Sequence, residues 1–230
     1  MIDVLILVLA RAGSKRLPQK NVKPFLNTSL LNITLVQATR VKRLLGCEGL
    51  EVSIFLSTDL NPQEFELPSE VNLVERPARL SQDSTTSRET ILPILEGNQN
   101  LKHNTILCVL QPTSPLRYDQ DILTAINMLR KCEAESVVSV SRPLQPLKDM
   151  VLGLKGTTVL IDCESVDQYR FISGGFYCYT VSNYCQKDDK SLMLNAYLFE
   201  CSDETGIDID NEVQFQMAEL LYRQHMETQR

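Results

Sequence analysis

The 230-residue sequence predicts a doubly wound α/β fold with a mostly parallel sheet, and three observations carry that prediction. Apolar runs of strand length alternate with longer segments of helical periodicity through residue 141. The runs Val4 to Ala10 and Ile106 to Leu110 are apolar at every position rather than every second one, the pattern of strands buried on both faces. The first of them empties directly into a cationic, glycine-containing loop, as strands of such sheets do at their carboxyl ends.

The elements follow in order. Residues 3–10 form the first strand, and 29–45 a long helix that Gly46 and Gly49 stop. A second strand covers 51–58, where Ser57-Thr58-Asp59 caps a short helix over 61–66. Then come a strand at 71–75, a helix at 86–97, a strand at 104–111, a helix at 119–132 and a strand at 136–141. Pro143, Pro146, Gly153 and Gly156 break the alternation, and the short runs Thr157 to Ile161 and Gly174 to Thr180 read as a β-rich insertion over 142–180. It is too small to form its own core, so it folds as a lid on its own domain or needs a partner surface. A last helix at 211–224 starts from the N-cap pair Asn211 and Gln214, ahead of apolar Val213, Phe215, Met217, Leu220 and Leu221. Residues 1–230 form one domain, with no internal repeat.

Composition narrows the function. With 43% hydrophobic and 23% charged residues, the chain is of ordinary globular make-up. A net charge of −6 argues against nucleic acid as partner, because phosphate-backbone binding needs a broad basic surface. No run of 18 apolar residues occurs, and Ile2 to Ala10 is too short for a signal peptide and leads straight into charge, so a cytoplasmic protein without membrane association is expected. Seven cysteines without a C-x-x-C spacing fit reduced thiols rather than a disulfide framework or zinc site. His103 and His225 fall in a polar loop and a polar tail, with no partner for catalysis.

The loop after the first strand matches neither a P-loop nor the three-glycine dinucleotide fingerprint, since residues 11–25 contain only Gly13. Neutralisation of a triphosphate therefore falls to side chains, with Arg11, Lys15, Arg16, Lys20 and Lys23 available; the alternative is a solvated basic turn. In Ile207-Asp208-Ile209-Asp210 the alternation puts both carboxylates on one face of an extended segment, roughly 6–7 Å apart, where they can share a hard cation such as Mg²⁺. The alternative there is that Asp210 only assists the following helix. Gln111, at the end of an apolar strand, projects an amide where ligands collect.

The segment Ala10-Arg11-Ala12-Gly13-Ser14-Lys15-Arg16-Leu17-Pro18-Gln19-Lys20-Asn21-Val22-Lys23-Pro24 resembles the signature of the cytidylyltransferases that activate sialic and related nonulosonic acids. Three further blocks continue the resemblance in order: Glu75 to Leu80 with Asp83 and Ser87, Leu110 to Arg117, and Ile207 to Asp210. It implies a nucleotidyltransferase-like, Rossmann-type three-layer fold and transfer of CMP from CTP to an acidic nine-carbon keto sugar with release of pyrophosphate. It implies that Arg11 and Lys20 stabilise charge on the triphosphate, that Asp208 and Asp210 hold Mg²⁺, and that Ala12, Gly13, Ser14, Lys15, Asn21, Arg76 and Ser87 contact the nucleotide. Gln111, Thr113, Ser114, Lys148, Arg170 and Ser173 are its implied sugar-site residues, and the 142–180 segment is implied to cross to the partner in a homodimer. Two departures stand out. Arg16 replaces the family's glycine, and Arg-Leu-Pro-x-Lys is reminiscent of ketodeoxyoctonate cytidylyltransferases; the family's R-P-N-G appears as Phe171-Ile172-Ser173-Gly174. A transferase for another sugar and an inactive nucleotide-binding relative are the alternatives.

Overall fold

The computed structural model describes residues 1–143, 151–154, 157–160 and 170–228. In chain order the elements are β1 (Ile2–Ala10), a hairpin of β2 (Pro24–Phe25) and β3 (Thr28–Ser29), α1 (Leu30–Cys47), β4 (Val52–Thr58), β5 (Val71–Glu75), α2 (Ser87–Glu96), β6 (Leu101–Leu110), α3 (Asp119–Arg130) and β7 (Ser136–Ser141). They continue with β8 (Val151–Leu154), β9 (Thr157–Leu160), β10 (Phe171–Thr180), α4 (Val181–Gln186), α5 (Asp189–Leu194), β11 (Tyr197–Glu200) and α6 (Glu212–Thr228). Seven strands form one sheet in the order β11-β7-β10-β6-β1-β4-β5, parallel except for β10, which runs antiparallel between β6 and β7. From β1 the chain winds outward through β4 and β5, then returns to lay β6 on the other side of β1. The order reverses between β1 and β6, and their carboxyl ends open the crevice in which such sheets bind ligands.

β1 is buried on both faces, as its unbroken apolar run requires. Val4, Ile6 and Val8 pack with Leu31, Leu35 and Ala38 of α1 and Ile122 and Ile126 of α3, while Leu5 and Leu7 pack with Ile91 and Leu95 of α2, Tyr184 and Leu192. A third cluster joins Leu17, Phe25, Leu116, Ile207, Ile209 and Phe215, so the hairpin, the carboxylate segment and α6 share one small core; Phe25 meets Phe215 edge-on at 5.3 Å. α1 ends as its glycines foretell: Gly49, at φ +81°, donates to the Gly46 carbonyl and Leu50 to that of Leu45, a Schellman stop.

Four expectations need correction. The helix over 61–66 is a single 3₁₀ turn, Pro62–Glu64, because Phe65 is the sole apolar residue of that segment that reaches the core and a short segment without an apolar face gains too little from helix formation. Its cap is Asn61, not the Ser57-Thr58-Asp59 triplet. Gly174 to Thr180 is not part of an insertion: β10 is a central strand, with Phe176 and Cys178 in one core and Tyr179 in the other. What remains separate in that region is the antiparallel hairpin β8–β9. His103 lies in the exposed start of β6 rather than in a loop. The hairpin β2–β3, the edge strand β11 and the helices α4 and α5 had no counterpart in the sequence reading. Among the described residues no helix is long and apolar enough to cross a membrane.

Candidate active site

Where β1 ends, two side chains fix the turn that follows. Asn21, 7% exposed, donates its amide to the Arg11 carbonyl at 2.9 Å, and Asp59, just past β4, accepts the Ala12 N–H at 2.8 Å. The loop then forms one wall of a cavity of about 550 Å³. Arg11, Gly13, Ser14, Lys15, Arg16, Lys20 and Asn21 line that wall, Arg76 enters from the end of β5, and Gln111, Pro112 and Thr113 from the end of β6. Asp83, Thr85, Thr86 and Ser87 close it above the start of α2, and Asp210 completes the far rim.

Carboxylates already engage the cations of this wall. Arg11 and Lys15 pair with Asp83 at 2.8 and 2.6 Å, and Arg16 with Asp210 at 2.9 Å. Lys20, with its side chain 11% exposed, donates to the Ile209 carbonyl and sits 3.4 Å from Asp210. Lys23 does not face the cavity: it pairs with Glu212 and lies over the Phe215 ring, so it docks α6 instead of serving a phosphate. Arg76 is 8% exposed and donates to the Ser57 carbonyl at 3.1 Å, and burial depresses its pKa. Among the described residues the buried Asn21 Oδ1 has no hydrogen-bond partner, which makes it an acceptor in the lining. Thr86 caps α2, in a reciprocal box with Glu89, and Ser87 is the first residue of the helix.

The carboxylate segment behaves as its alternation predicts. Ile207 and Ile209 are buried, Asp208 and Asp210 face outward, and the Ile209 N–H donates to the Thr113 carbonyl at 2.8 Å, tying the segment to the turn after β6. Asp208 is crowded by surrounding protein, although its carboxylate stays open to solvent. That crowding raises its pKa, the Asp210 charge pushes the same way, and a hydrogen bond from Thr113 opposes both. Among the described residues no group of three or more potential metal ligands converges; the carboxylates that could hold a cation here are the neighbouring Asp208 and Asp210, the latter already paired with Arg16 and Lys20. That suits Mg²⁺, which takes one or two carboxylates and completes its shell with water and phosphate oxygens.

Gln111 is held from behind by Arg117, which is 4% exposed. Its guanidinium donates to the Gln111 and Gly175 carbonyls at 2.7 and 3.1 Å, to Gln37 Oε1 at 2.9 Å and to Thr34 Oγ1 at 3.0 Å. All four acceptors are neutral, and burial brings its pKa down to about 10. Gly174 completes this junction at φ +71°, where a Cβ would lie 2.8 Å from Ser114 Oγ and 3.2 Å from Gln111 Oε1. Beyond Gln111 and Ser87 a second recess of about 200 Å³ opens, lined by Tyr177, Tyr179, Tyr184, Leu192 and Met193. Arg88, stacked on Tyr184 at 5.2 Å and 3.5 Å from Asp189, bounds it.

Most of the residues singled out from sequence thus meet at one cavity, and some do not line it. The Ala12 N–H is spent on Asp59. Ser114 and Ser173 are each 1% exposed and hydrogen-bond inward, Ser114 to the Ser173 carbonyl and Ser173 to Ser139 Oγ, which pins the turn after β6 to β10 and β7. Arg170 pairs with Glu200 at 2.9 Å. Asp208, exposed beside Asp210, does not line the cavity either. Lys148 lies outside the described residues. Sequence reasoning missed Asp59, Thr85, Thr86 and the tyrosine recess; the Thr86-x-x-Glu89 box was legible, whereas the recess depends on where β10 sits.

A doubly wound sheet with a cationic loop at its topological switch point and Asp210 on the rim defines a nucleotidyltransferase-type α/β protein. The family model described as cytidylyltransferase matches residues 5–169, and the chain belongs to that family. CMP-N,N'-diacetyllegionaminic acid synthase of Legionella pneumophila is 28% identical over 97% of this chain and 98% of its own length. N-acylneuraminate cytidylyltransferase A of Danio rerio is 28% identical over 59% of this chain, which spans only 30% of that relative. N-acylneuraminate cytidylyltransferase of Streptococcus agalactiae serotype V is 25% identical over 92% of this chain, which spans 51% of it. Two solved structures share the fold. CMP:2-keto-3-deoxy-manno-octonic acid synthetase complexed with CTP has a TM-score of 0.63 at 15% identity, covering 96% of this chain and 99% of its own. The 2-C-methyl-D-erythritol 4-phosphate cytidylyltransferase of Francisella tularensis has a TM-score of 0.68 at 14% identity, covering 94% and 98%.

Proposed function

We propose that the protein transfers CMP from CTP to an acidic nine-carbon keto sugar of the nonulosonic type and releases pyrophosphate. The observation that carries this reading is the arrangement around Gln111: a cationic, triphosphate-sized cavity on one side and a small tyrosine-lined recess on the other. The triphosphate lies along Arg11, Lys15, Arg16 and Lys20, the nucleoside hydroxyls reach the unpaired Asn21 Oδ1, and Arg76 faces the base. The Gln111 amide orients the acceptor, whose N-acyl or methyl substituent suits the recess. The anomeric hydroxyl oxygen bonds to the α-phosphorus, the bond to the bridging oxygen of the β-phosphate breaks with that oxygen leaving on pyrophosphate, and the hydroxyl proton passes to solvent on the carboxylate side of the cavity. Phosphoryl transfer of this kind asks mainly for positioning and charge neutralisation, which Arg11 and Lys20 supply. Mg²⁺ held by Asp208 and Asp210 would supply further neutralisation at the α-phosphate and lower the pKa of the attacking hydroxyl.

The N,N'-diacetyllegionaminic relative supports an acylated acceptor. Arg16, in the place of the family's glycine and paired with Asp210, favours the ketodeoxyoctonate acceptor as second reading. Pyrophosphate release with CTP and Mg²⁺ should be measured across sialic, legionaminic, pseudaminic and ketodeoxyoctonic acids. We expect release with one of the three nine-carbon acids. Release with ketodeoxyoctonic acid alone selects the second reading, and CTP binding without release selects the inactive relative.

The active form we propose is a homodimer in the cytoplasm. Ile172 and Leu198 are 49% and 55% exposed and pair with Val140 and Val138, which puts them on one face beside the start of β10. Three exposed free thiols, Cys47, Cys132 and Cys185, suit a reducing compartment. Light scattering over a concentration series tests the dimer, and a fully active monomer would overturn it.

A further inference from the structure

We propose that Asp83 is a positioning residue: its carboxylate holds Arg11 and Lys15 side by side, so that both cations meet the incoming triphosphate already oriented. The proposal rests on the CTP reading above. Asp83 stands in the turn between the 3₁₀ segment Ala78–Leu80 and α2, on the wall of the cavity that faces the cationic loop. Its two oxygens are divided: Oδ1 accepts from Arg11 Nη1 at 2.8 Å and Oδ2 from Lys15 Nζ at 2.6 Å.

The loop backbone is fixed independently of this contact by Asn21 and Asp59, but the two side chains are not. Lys15 is 86% exposed at its side chain and makes no other ion pair among the described residues. Arg11 and Lys15 repel each other as like charges, and each long side chain has rotamer freedom to lose when a phosphate orders it. A carboxylate between them removes both costs before the ligand arrives.

Asp83 need not leave when the phosphates enter. A guanidinium has five N–H donors and an ammonium three, and the contacts with Asp83 use one from each. The opposite geometry, in which Asp83 occupies all the donors and competes with phosphate, is not the one observed. Lys15 first, and Arg11 second, hold the Asp83 carboxyl below the usual range, so the group is charged wherever the enzyme would be assayed.

The test uses the full chain, CTP, Mg²⁺ and whichever acid is active in the panel, with turnover, calorimetric CTP affinity and melting temperature measured on each preparation. For Asp83→Asn we expect turnover to fall roughly ten- to hundredfold, as misplaced reacting groups do. CTP affinity should change little, since the negative charge lost from the cavity offsets the ordering cost that Asp83 had removed, and the melting temperature should hold because exposed ion pairs contribute little to stability. Asp83→Glu, which keeps the charge, should recover part of the rate. Asp83→Asn turnover within about threefold of the parent overturns the proposal, with or without tighter CTP binding. A fall in rate matched by an equal loss of CTP affinity, or by a lower melting temperature, also overturns it. A parent protein that neither binds CTP nor releases pyrophosphate overturns the nucleotide reading, and this proposal with it, before any variant is compared.

Discussion

Lys20 differs from the other cations of the loop in being nearly enclosed: its side chain is 11% exposed, against 72% for Arg16 and 86% for Lys15. A preorganised cation facing developing charge in a water-poor site is worth a few kcal/mol, so Lys20→Ala should lower turnover by roughly two orders of magnitude. Its far-ultraviolet circular dichroism should match the parent; turnover within about threefold of normal would take Lys20 off the catalytic list. Asp210 poses a different question, because it meets Arg16 and Lys20 and is also the candidate cation ligand. The helix-assisting alternative for Asp210 is weakened by the structure: Asn211 is the residue whose side chain accepts the Gln214 N–H. Asp210→Asn should therefore leave the melting temperature nearly unchanged, while the Mg²⁺ concentration for half-maximal rate rises and saturated turnover falls. A normal Mg²⁺ curve would remove the paired-carboxylate site.

Two element boundaries tie stability to the site. At the start of α6, Gln214 Oε1 accepts both the Asp210 and Asn211 N–H groups and Asn211 returns the bond to Gln214, so the cap also orients Asp210. Asn211→Ala should destabilise by about 1 kcal/mol in chemical denaturation and should disturb Mg²⁺ dependence as well. An unchanged Mg²⁺ curve would mean that the cap and the carboxylate are independent. In β10, Gly174 adopts φ +71° against Ser114 and Gln111. Gly174→Ala should cost about 1–3 kcal/mol of stability through backbone strain and contact, and should raise the KM of the acceptor more than that of CTP, because Gln111 Oε1, at 3.2 Å, must give way along with Ser114 Oγ, at 2.8 Å. Equal changes in both constants would count against Gln111 as an acceptor contact.

At the scale of the whole molecule, the recess below Gln111 makes the fold sensitive to alkali. Burial pushes Tyr177 up to about 12 and raises Tyr179 and Tyr184 as well. The sign follows from proton counts. As pH rises past the ordinary tyrosine value near 10, the unfolded chain releases these protons and the folded one retains them, so stability falls with rising pH. The contribution is fully present below about pH 10 and is lost from there upward, through about 12 for Tyr177. Arg117 works in the opposite direction between about 10 and its unperturbed 12.5, as one group against three. Urea midpoints from pH 8 to 11 should be level at first and then drop, with part of the tyrosinate absorbance appearing only on unfolding. A midpoint that stays level to pH 11 would contradict the burial of the recess.

The sequence by itself determined the elements whose pattern is local. β1, β4, β5 and β7 lie where strand-length, apolar-rich runs put them, α1 stops at its glycines, and Asn211 with Gln214 starts α6. It also put the cationic loop and Gln111 on one functional list, because charge and amide groups at strand ends have few other uses in a buried parallel sheet; Asp210 joined them through its alternating carboxylate segment, and Arg76 through the family resemblance. Tertiary structure decided what depends on long-range pairing. Phe171 to Thr180 carries no signal that it inserts between β6 and β7, since a short run of mixed apolar and aromatic residues reads alike in a hairpin and in a central strand. Which carboxylate meets which cation was equally hidden: Asp83 is 72 positions from Arg11, Asp59 is 47 from Ala12, and Asp210 is 190 from Lys20. Lys23 was indistinguishable in sequence from its neighbours and turned instead to Glu212 and Phe215, because the choice between solvent, phosphate and another helix is made only once that helix has docked.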